Sequence, residues 1–174
     1  IIHLFGNEEI LKKKLEEKNI SSNNIRITNT AAVVSDDETP LTAIKNSKNT
    51  SMWNCIQSQI YGDADISLSA GNTAVLLVVS KMILKMISKV NKPALAGLWP
   101  NSKNMNVVLD LGANIDCNEK NLVDFSEMGS ALYKSLFPDQ QPVVSLLNIG
   151  SEEIKGTETL KKTYAKLKEL SKYN

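Results

Sequence analysis

Six short apolar runs punctuate the chain, at 1–5, 25–28, 66–68, 94–98, 107–111 and 143–147, each bounded by polar residues or by Gly and Pro. They read as strands. Between them, apolar residues recur at helical spacing over 8–18 (after an Asn7 cap), 51–60, 73–90, 120–136 and 157–170. Strands that alternate with helices predict one α/β domain over residues 1–174, with a mostly parallel sheet and right-handed crossovers. Runs 94–98 and 107–111 are joined without a helix, so that pair is expected either to be antiparallel or to be linked by a loop along the sheet edge.

Where a strand runs into a helix, the helix leaves backbone N–H groups unpaired and the loop is free to vary, so ligands collect there. Residues 65–79, "DISLSAGNTAVLLVV", form such a junction: Gly71 suits a tight or positive-φ turn, and Asn72 or Thr73 can cap the helix. Small side chains let a ligand approach the backbone, and free N–H groups favour an anion. Two later stretches repeat the pattern, "VVLDLGANIDCN" at 107–118 and "VVSLLNIGSEEIKGTET" at 143–159. Together they present Asn72, Asn114 and Asn148 beside Gly71, Gly112 and Gly150, with Asp110, Glu152 and Lys155 close by. Loops of this kind on one sheet edge would make a Gly-lined polar cleft. Each residue also has a plainer reading: Asn72 as a helix cap, Asp110 as the brace of its own turn, Lys155 as a solvated lysine.

Composition narrows the chemistry. The 174 residues carry 20 Lys plus Arg against 19 Asp plus Glu, a net charge of +1, so no global field draws the chain to nucleic acid. Arg26 is the only arginine and His3 the only histidine. A His-dependent nucleophile would have to use His3, which sits in "IIHLF" and reads as a half-buried strand residue. Cys55 and Cys117 lack the spacing of a metal site or a disulfide framework, and two reduced thiols suit a cytoplasmic protein. Lys81, Lys85 and Lys89 interrupt the most apolar helix, so no membrane span is expected, and no signal peptide is visible. The same three lysines form an i, i+4 stripe with Lys92 just beyond, a solvated face or a docking face for an acidic partner. Met82 and Met86 read as core or interface.

Five segments carry a resemblance: "DISLSAGNTAVLL", "KPAL", "VVLDLGANIDC", "LVDFSEMGSALY" and "PVVSLLNIGSEEIKGTE", with "ETPLTAIKNSKNTSMWNCI" in weaker support. In this order and spacing they resemble the PlsX family, the phosphate acyltransferases of bacterial phospholipid synthesis, over nearly the whole chain. The resemblance implies transfer of a fatty acyl group from acyl carrier protein to inorganic phosphate, giving an acyl phosphate. It further implies a three-layer α/β/α sandwich like that of the isocitrate and isopropylmalate dehydrogenases, a homodimer, and peripheral contact with a membrane.

The chain departs from the family pattern at several points. Ala74 stands where Gly is usual, Lys92 where Arg is usual, and Lys45 and Ser47 where Arg and Lys are common. Exchanging Arg for Lys keeps charge and loses the bidentate fork. The family's N-terminal Asp/Gly-rich opening and its C-terminal segment have no counterpart in these residues.

Attack of phosphate on a thioester requires neither a metal nor a redox cofactor. It requires two anionic partners held together and a donor for the growing oxyanion, such a donor contributing roughly 3–4 kcal/mol in related acyl transfers. On this reading Asn72, Lys155 and Asp110 are the catalytic candidates. Ser69, Gly71, Thr73, Lys92, Gly112, Asn114, Asn148, Gly150 and Glu152 are the candidates for holding phosphate and substrate. Two other readings are a non-catalytic or incomplete fragment that binds acyl carrier protein or dimerises, and a nicotinamide-dependent dehydrogenase of the related fold. The second is weaker, because the chain has no GxGxxG.

Overall fold

The protein is described here by a computed structural model covering residues 1–102, 104–152 and 154–170 and, at 40, 43 and 44, the backbone alone. It is an α/β protein, with strands β1 (Ile2–Gly6), β2 (Ile25–Asn29), β3 (Gly97–Pro100) and β4 (Met105–Val108). Its α-helices are α1 (Glu8–Glu17), α2 (Pro40–Asn46), α3 (Ser51–Ile60), α4 (Thr73–Leu84), α5 (Glu119–Leu136) and α6 (Glu158–Glu169). The described residues group into two compact units, 1–86 and 87–174.

In the first unit β1 and β2 pair in parallel, Ile2 opposite Ile25 through Gly6 opposite Asn29, with α1 as the crossover. Asn7 caps α1 by accepting the Ile10 N–H at 3.0 Å, as its place before "EEILKKK" predicts. Thr50 caps α3 in the same way, accepting from the Trp53 N–H at 3.2 Å. Helices α3 and α4 pack through Met52, Ile56, Val75 and Val79, flanked by Val34, Trp53, Leu76 and Ile83. The buried pair on each helix is spaced by four, which puts it on one face. Helix α2, unpredicted from the sequence, packs on α4; its seven residues are too few to show a helical period.

Helix α4 ends at Leu84, six residues short of the expected Val90. Lys85 and Lys89 adopt φ of 62° and 75°, in the left-handed region that ends a helical ladder. The expected lysine stripe is therefore not a helix face: Lys81 lies on α4, and Lys85 and Lys89 lie on the chain that follows. Met82 is exposed rather than core.

In the second unit β3 and β4 form an antiparallel hairpin, Gly97 opposite Val108, bearing out the antiparallel option for the helix-free connection. Both strands are displaced from the expected runs: β3 starts at Gly97 rather than 94, and β4 ends at Val108 rather than 111. In each case the intervening residues are spent on the loop contacts described below. Lys103, in the "NSKNMN" turn, lies outside the described residues. Asn118 and Asn121 cap α5 reciprocally, Asn118 Oδ1 accepting the Asn121 N–H at 3.0 Å and Asn121 Oδ1 accepting the Asn118 N–H at 3.2 Å. Helix α5 packs on α6 and on β4, burying Phe125 and Leu167.

Two expected strands do not form. Residues 66–68 and 143–147 belong to no ladder, and Ile66, Leu68, Val143 and Leu147 are exposed. An apolar run becomes a strand only where another strand meets its backbone groups, and neither segment has such a neighbour among the described residues. Among the described residues, the expectation of a mostly parallel sheet reduces to one parallel and one antiparallel two-stranded pair, with an isolated parallel bridge between Ala32 and Thr50.

Candidate functional site

The three Asn-bearing turns fall in different units: residues 69–73 in the first, 110–116 and 148–157 in the second. Each is built from its own contacts.

At the first turn Asn72 is the N-cap of α4. Its Oδ1 accepts the N–H groups of Ala74 at 3.1 Å and Val75 at 3.2 Å. Its Nδ2 donates to the carbonyls of Asp36 and Glu38, each at 3.1 Å. Both amide hydrogens are thereby occupied, so Asn72 ties residues 36–38 to the helix start, and the carboxamide has no hydrogen left for an anion. Ser69 Oγ accepts the Gly71 N–H at 3.2 Å. The Thr73 N–H and hydroxyl make no hydrogen bond among the described residues and are the open donors at this helix end. Gly71 has no positive φ, contrary to one expectation, and a Cβ there would meet Met52 Cε at 3.4 Å, an ordinary contact. Glycine is thus not required at position 71 for folding. Ala74 is exposed on the first helical turn, where its methyl group is accommodated.

The second turn is organised around Asp110. Oδ1 accepts the N–H groups of Leu95 at 2.8 Å and Ala113 at 3.2 Å; Oδ2 accepts the Asn114 N–H at 2.8 Å and Asn114 Nδ2 at 2.9 Å. Burial pushes the carboxyl pKa up, but the bonds from Leu95, Asn114 and Ala113 outweigh it, and the group is held below the ordinary carboxylate range. The second Asn114 Nδ2 hydrogen goes to the Pro93 carbonyl at 2.8 Å, Lys92 Nζ reaches the Asp116 carbonyl at 2.6 Å, and the Leu111 N–H bonds Leu95 O at 2.9 Å. "KPAL" and "LGANID", distant in sequence, are one stitched unit. Gly112 has φ 91°, and a Cβ added there would meet nothing within 4 Å, so the backbone conformation alone favours glycine.

At the third turn Asn148 Nδ2 donates to the Lys155 carbonyl at 3.3 Å and Oδ1 accepts the Ile149 N–H at 2.9 Å. The Lys155 N–H closes the turn onto Glu152 O at 2.9 Å. Gly156 has φ 89°, and a Cβ would come within 2.7 Å of Asn148 Oδ1, so this glycine serves both a left-handed backbone and a close approach. At Gly150 a Cβ would meet Glu152 Oε2 at 2.5 Å, the far end of a flexible side chain. Lys155 is exposed and its ammonium makes no ion pair among the described residues. Glu153, within the same motif, lies outside them. Thr157 then caps α6, accepting the Leu160 N–H at 3.3 Å.

Two concavities in the first unit escaped the sequence. One of about 440 Å³ is lined by Asn7, Glu8, Glu9, Lys12 and Asn29. Its lysine pairs with Glu8 at 2.6 Å, so two carboxylates face one neutralised cation, a poor anion cradle. The other, about 220 Å³, gathers the single His and single Arg with Asp63 between β1, β2 and α3. His3 is half-buried on β1, as expected, and Nε2 lies 2.7 Å from Thr28 Oγ1. Burial, then the Arg26 charge, lowers its pKa, with Asp63 partly opposing. No sequence spacing links positions 3, 26 and 63: strand register sets His3 opposite Arg26, and the turn after α3 brings Asp63 to 4.0 Å from Arg26.

These contacts define an α/β protein whose helix starts and turns are locked from within, leaving a few backbone N–H groups, hydroxyls and the Lys155 ammonium turned outward. The chain belongs to the fatty acid synthesis protein family, whose model matches residues 1–174. It is 55% identical over 164 residues to the phosphate acyltransferase of Pelagibacter ubique, covering 94% of this chain and 49% of that protein. The phosphate acyltransferase of Neisseria meningitidis serogroup A is 40% identical over 177 residues (99% and 50%), and that of Maricaulis maris 38% over 158 (91% and 45%). The chain spans about half the length of these relatives.

Proposed function

We propose that the chain supplies the phosphate- and acyl-handling turns of a phosphate acyltransferase that moves a fatty acyl group from acyl carrier protein to inorganic phosphate. The family match along the whole chain carries this reading. In the reaction a phosphate oxygen attacks the thioester carbonyl carbon, the C–O bond forms, the C–S bond breaks, and the carrier thiolate leaves and takes a proton.

The contacts divide the labour among the candidates. Asn72 and Asp110 have their side-chain polar atoms committed to protein partners, Asn114 both of its amide hydrogens and Lys92 one of its ammonium hydrogens, and we assign all four to positioning. Asn148 and the glycines at 112 and 150 shape their turns. The outward donors are the Thr73 N–H and hydroxyl, the Ser69 hydroxyl and Lys155, which suit phosphate and the growing oxyanion. Glu152 fixes Lys155 through its carbonyl. Gly71 leaves room for close approach to the backbone.

The proposal extends to a three-layer α/β/α sandwich of the dehydrogenase-like kind, of which residues 1–174 are a central part, and to a homodimer with peripheral membrane contact. No helix among the described residues is long and apolar enough to cross a membrane. The competing reading, a fragment that binds the carrier protein without turnover, is favoured by the half-length coverage. Trapping acyl phosphate with hydroxylamine separates the two: phosphate-dependent acyl hydroxamate supports transfer, while carrier binding without hydroxamate supports the fragment.

A further inference from the structure

Helix α3 meets the β1–β2 pair with polar side chains. His3 and Phe5 on β1 stand opposite Arg26 and Thr28 on β2, and the spacing of two puts all four on one face of the pair. Asn54, Gln57 and Ser58 of α3, with Tyr61 just beyond its end, line a cavity with them, at the i, i+3, i+4, i+7 spacing of one helical stripe. The other stripe of α3 is apolar: Met52 and Ile56 bury against Val75 and Val79 of α4. A helix closes onto a sheet by burying apolar side chains between them. Here the seam is mostly polar and stays open as the cavity of about 220 Å³, below the range of drug-sized sites and suited to a small molecule.

The polar groups of this cavity hold hydrogen-bonding capacity in reserve. His3, its pKa lowered by burial and by the Arg26 charge, is neutral at pH 7. Its Nδ1 is buried with no partner among the described residues, which assigns the single ring proton to Nε2. That N–H donates to Thr28 Oγ1 at 2.7 Å and leaves the Thr28 hydroxyl hydrogen free. Gln57 Oε1 accepts from Trp53 Nε1 at 3.2 Å, so the Gln57 NH2 group is also open. The Arg26 guanidinium and the Asp63 carboxylate are 4.0 Å apart, too far for a hydrogen bond, and each keeps its own donors or acceptors. One cation beside one anion suits neither a polyanion nor a simple cation; it suits a ligand that carries both signs a few bonds apart. We propose that this cavity binds an α-amino acid with an aromatic side chain. The ligand's carboxylate takes the Arg26 fork together with the Thr28 hydroxyl and the Gln57 NH2, and its ammonium takes Asp63. Its ring lies along Phe5 and Tyr61, where the Phe5 and His3 rings already stack with centroids 4.1 Å apart. The site shares no residue with the three Asn-bearing turns and does not rest on the acyltransferase reading.

The test is an NMR titration of the 174-residue chain with L-phenylalanine, phenylacetate and phenethylamine, the last two lacking the ammonium and the carboxylate respectively. L-Phenylalanine should bind at millimolar concentration or below, and each analogue at least about tenfold more weakly. Arg26→Gln and Asp63→Asn should each weaken L-phenylalanine at least about tenfold. Both side chains are exposed and their ion pair is long, so both variants should melt within about 2 °C of the parent chain. The analogue comparison uses the parent chain alone and stands whatever the variants do. Lys12→Gln, in the other concavity, should leave the affinity unchanged. No binding of L-phenylalanine up to about 20 mM overturns the proposal. So does equal affinity for phenylacetate, which would make the cavity a plain anion site, and so does binding that neither variant weakens, which would place the ligand elsewhere on the chain.

Discussion

Replacing Asp110 with Asn tests whether the "LGAN" turn is held by one carboxylate. The two side chains have the same shape, but an Asn at 110 presents an NH2 group to a site that offers only donors. Two bonds, from Leu95 and Ala113, can persist on its oxygen; the two from Asn114 cannot. A hydrogen bond to a charged acceptor contributes about 1.5–3 kcal/mol, and the site is partly exposed, so the net loss is expected at about 2–4 kcal/mol. Urea denaturation followed by circular dichroism reads this directly. The pH dependence has a definite sign: the folded pKa lies below the unfolded value, so this stabilisation is present above the unfolded pKa and is lost as pH falls through the folded one. The Asp110→Asn protein should lack that acid-side segment of the stability profile. A loss under about 0.5 kcal/mol with an unchanged acid limb would refute the bracing role and return Asp110 to the ligand.

Three further substitutions separate folding from function. Gly71→Ala should alter stability by less than about 1 kcal/mol, because the backbone is not left-handed and the new methyl makes an ordinary contact, yet it should raise the phosphate KM severalfold; an unchanged KM would show that nothing approaches that backbone. Ser47 is fully buried and its hydroxyl has no partner among the described residues, so Ser47→Ala should be neutral or stabilise by about 1 kcal/mol, and a clear loss in thermal melting would reveal a hidden partner. Lys155→Ala should raise the phosphate requirement about tenfold at unchanged stability, with partial recovery in Lys155→Arg; an unaltered requirement removes Lys155 from the site.

Much of the fold was legible because capping is local. The Asn7 cap and the helical spacing of apolar residues announce these helices, the structure places α1, α3, α5 and α6 within two residues of expectation, and it adds Thr50, Asn118 and Thr157 as the caps of the last three. What misled was long-range. The apolar run after Asn72 continues past Leu84, and only the positive φ at Lys85 ends the helix. Residues 66–68 and 143–147 have the composition of strands but no ladder partner among the described residues, a property of the surrounding chain rather than of the run itself. Among the candidate residues, Asn and Gly clustering marked the turns correctly. Whether an Asn faces a ligand or its own backbone depends on contacts such as Asn72 with Asp36 and Glu38, thirty-six and thirty-four residues away, which no spacing reveals.

The most direct test is phosphate-dependent formation of acyl phosphate from acyl carrier protein thioesters, trapped as hydroxamate, with the 174-residue chain beside the same chain extended at both ends by the flanking segments of the Pelagibacter ubique relative. Product is expected from the extended form, dependent on phosphate and reduced by Lys155→Ala. Carrier binding by both proteins with no acyl phosphate from either would contradict it.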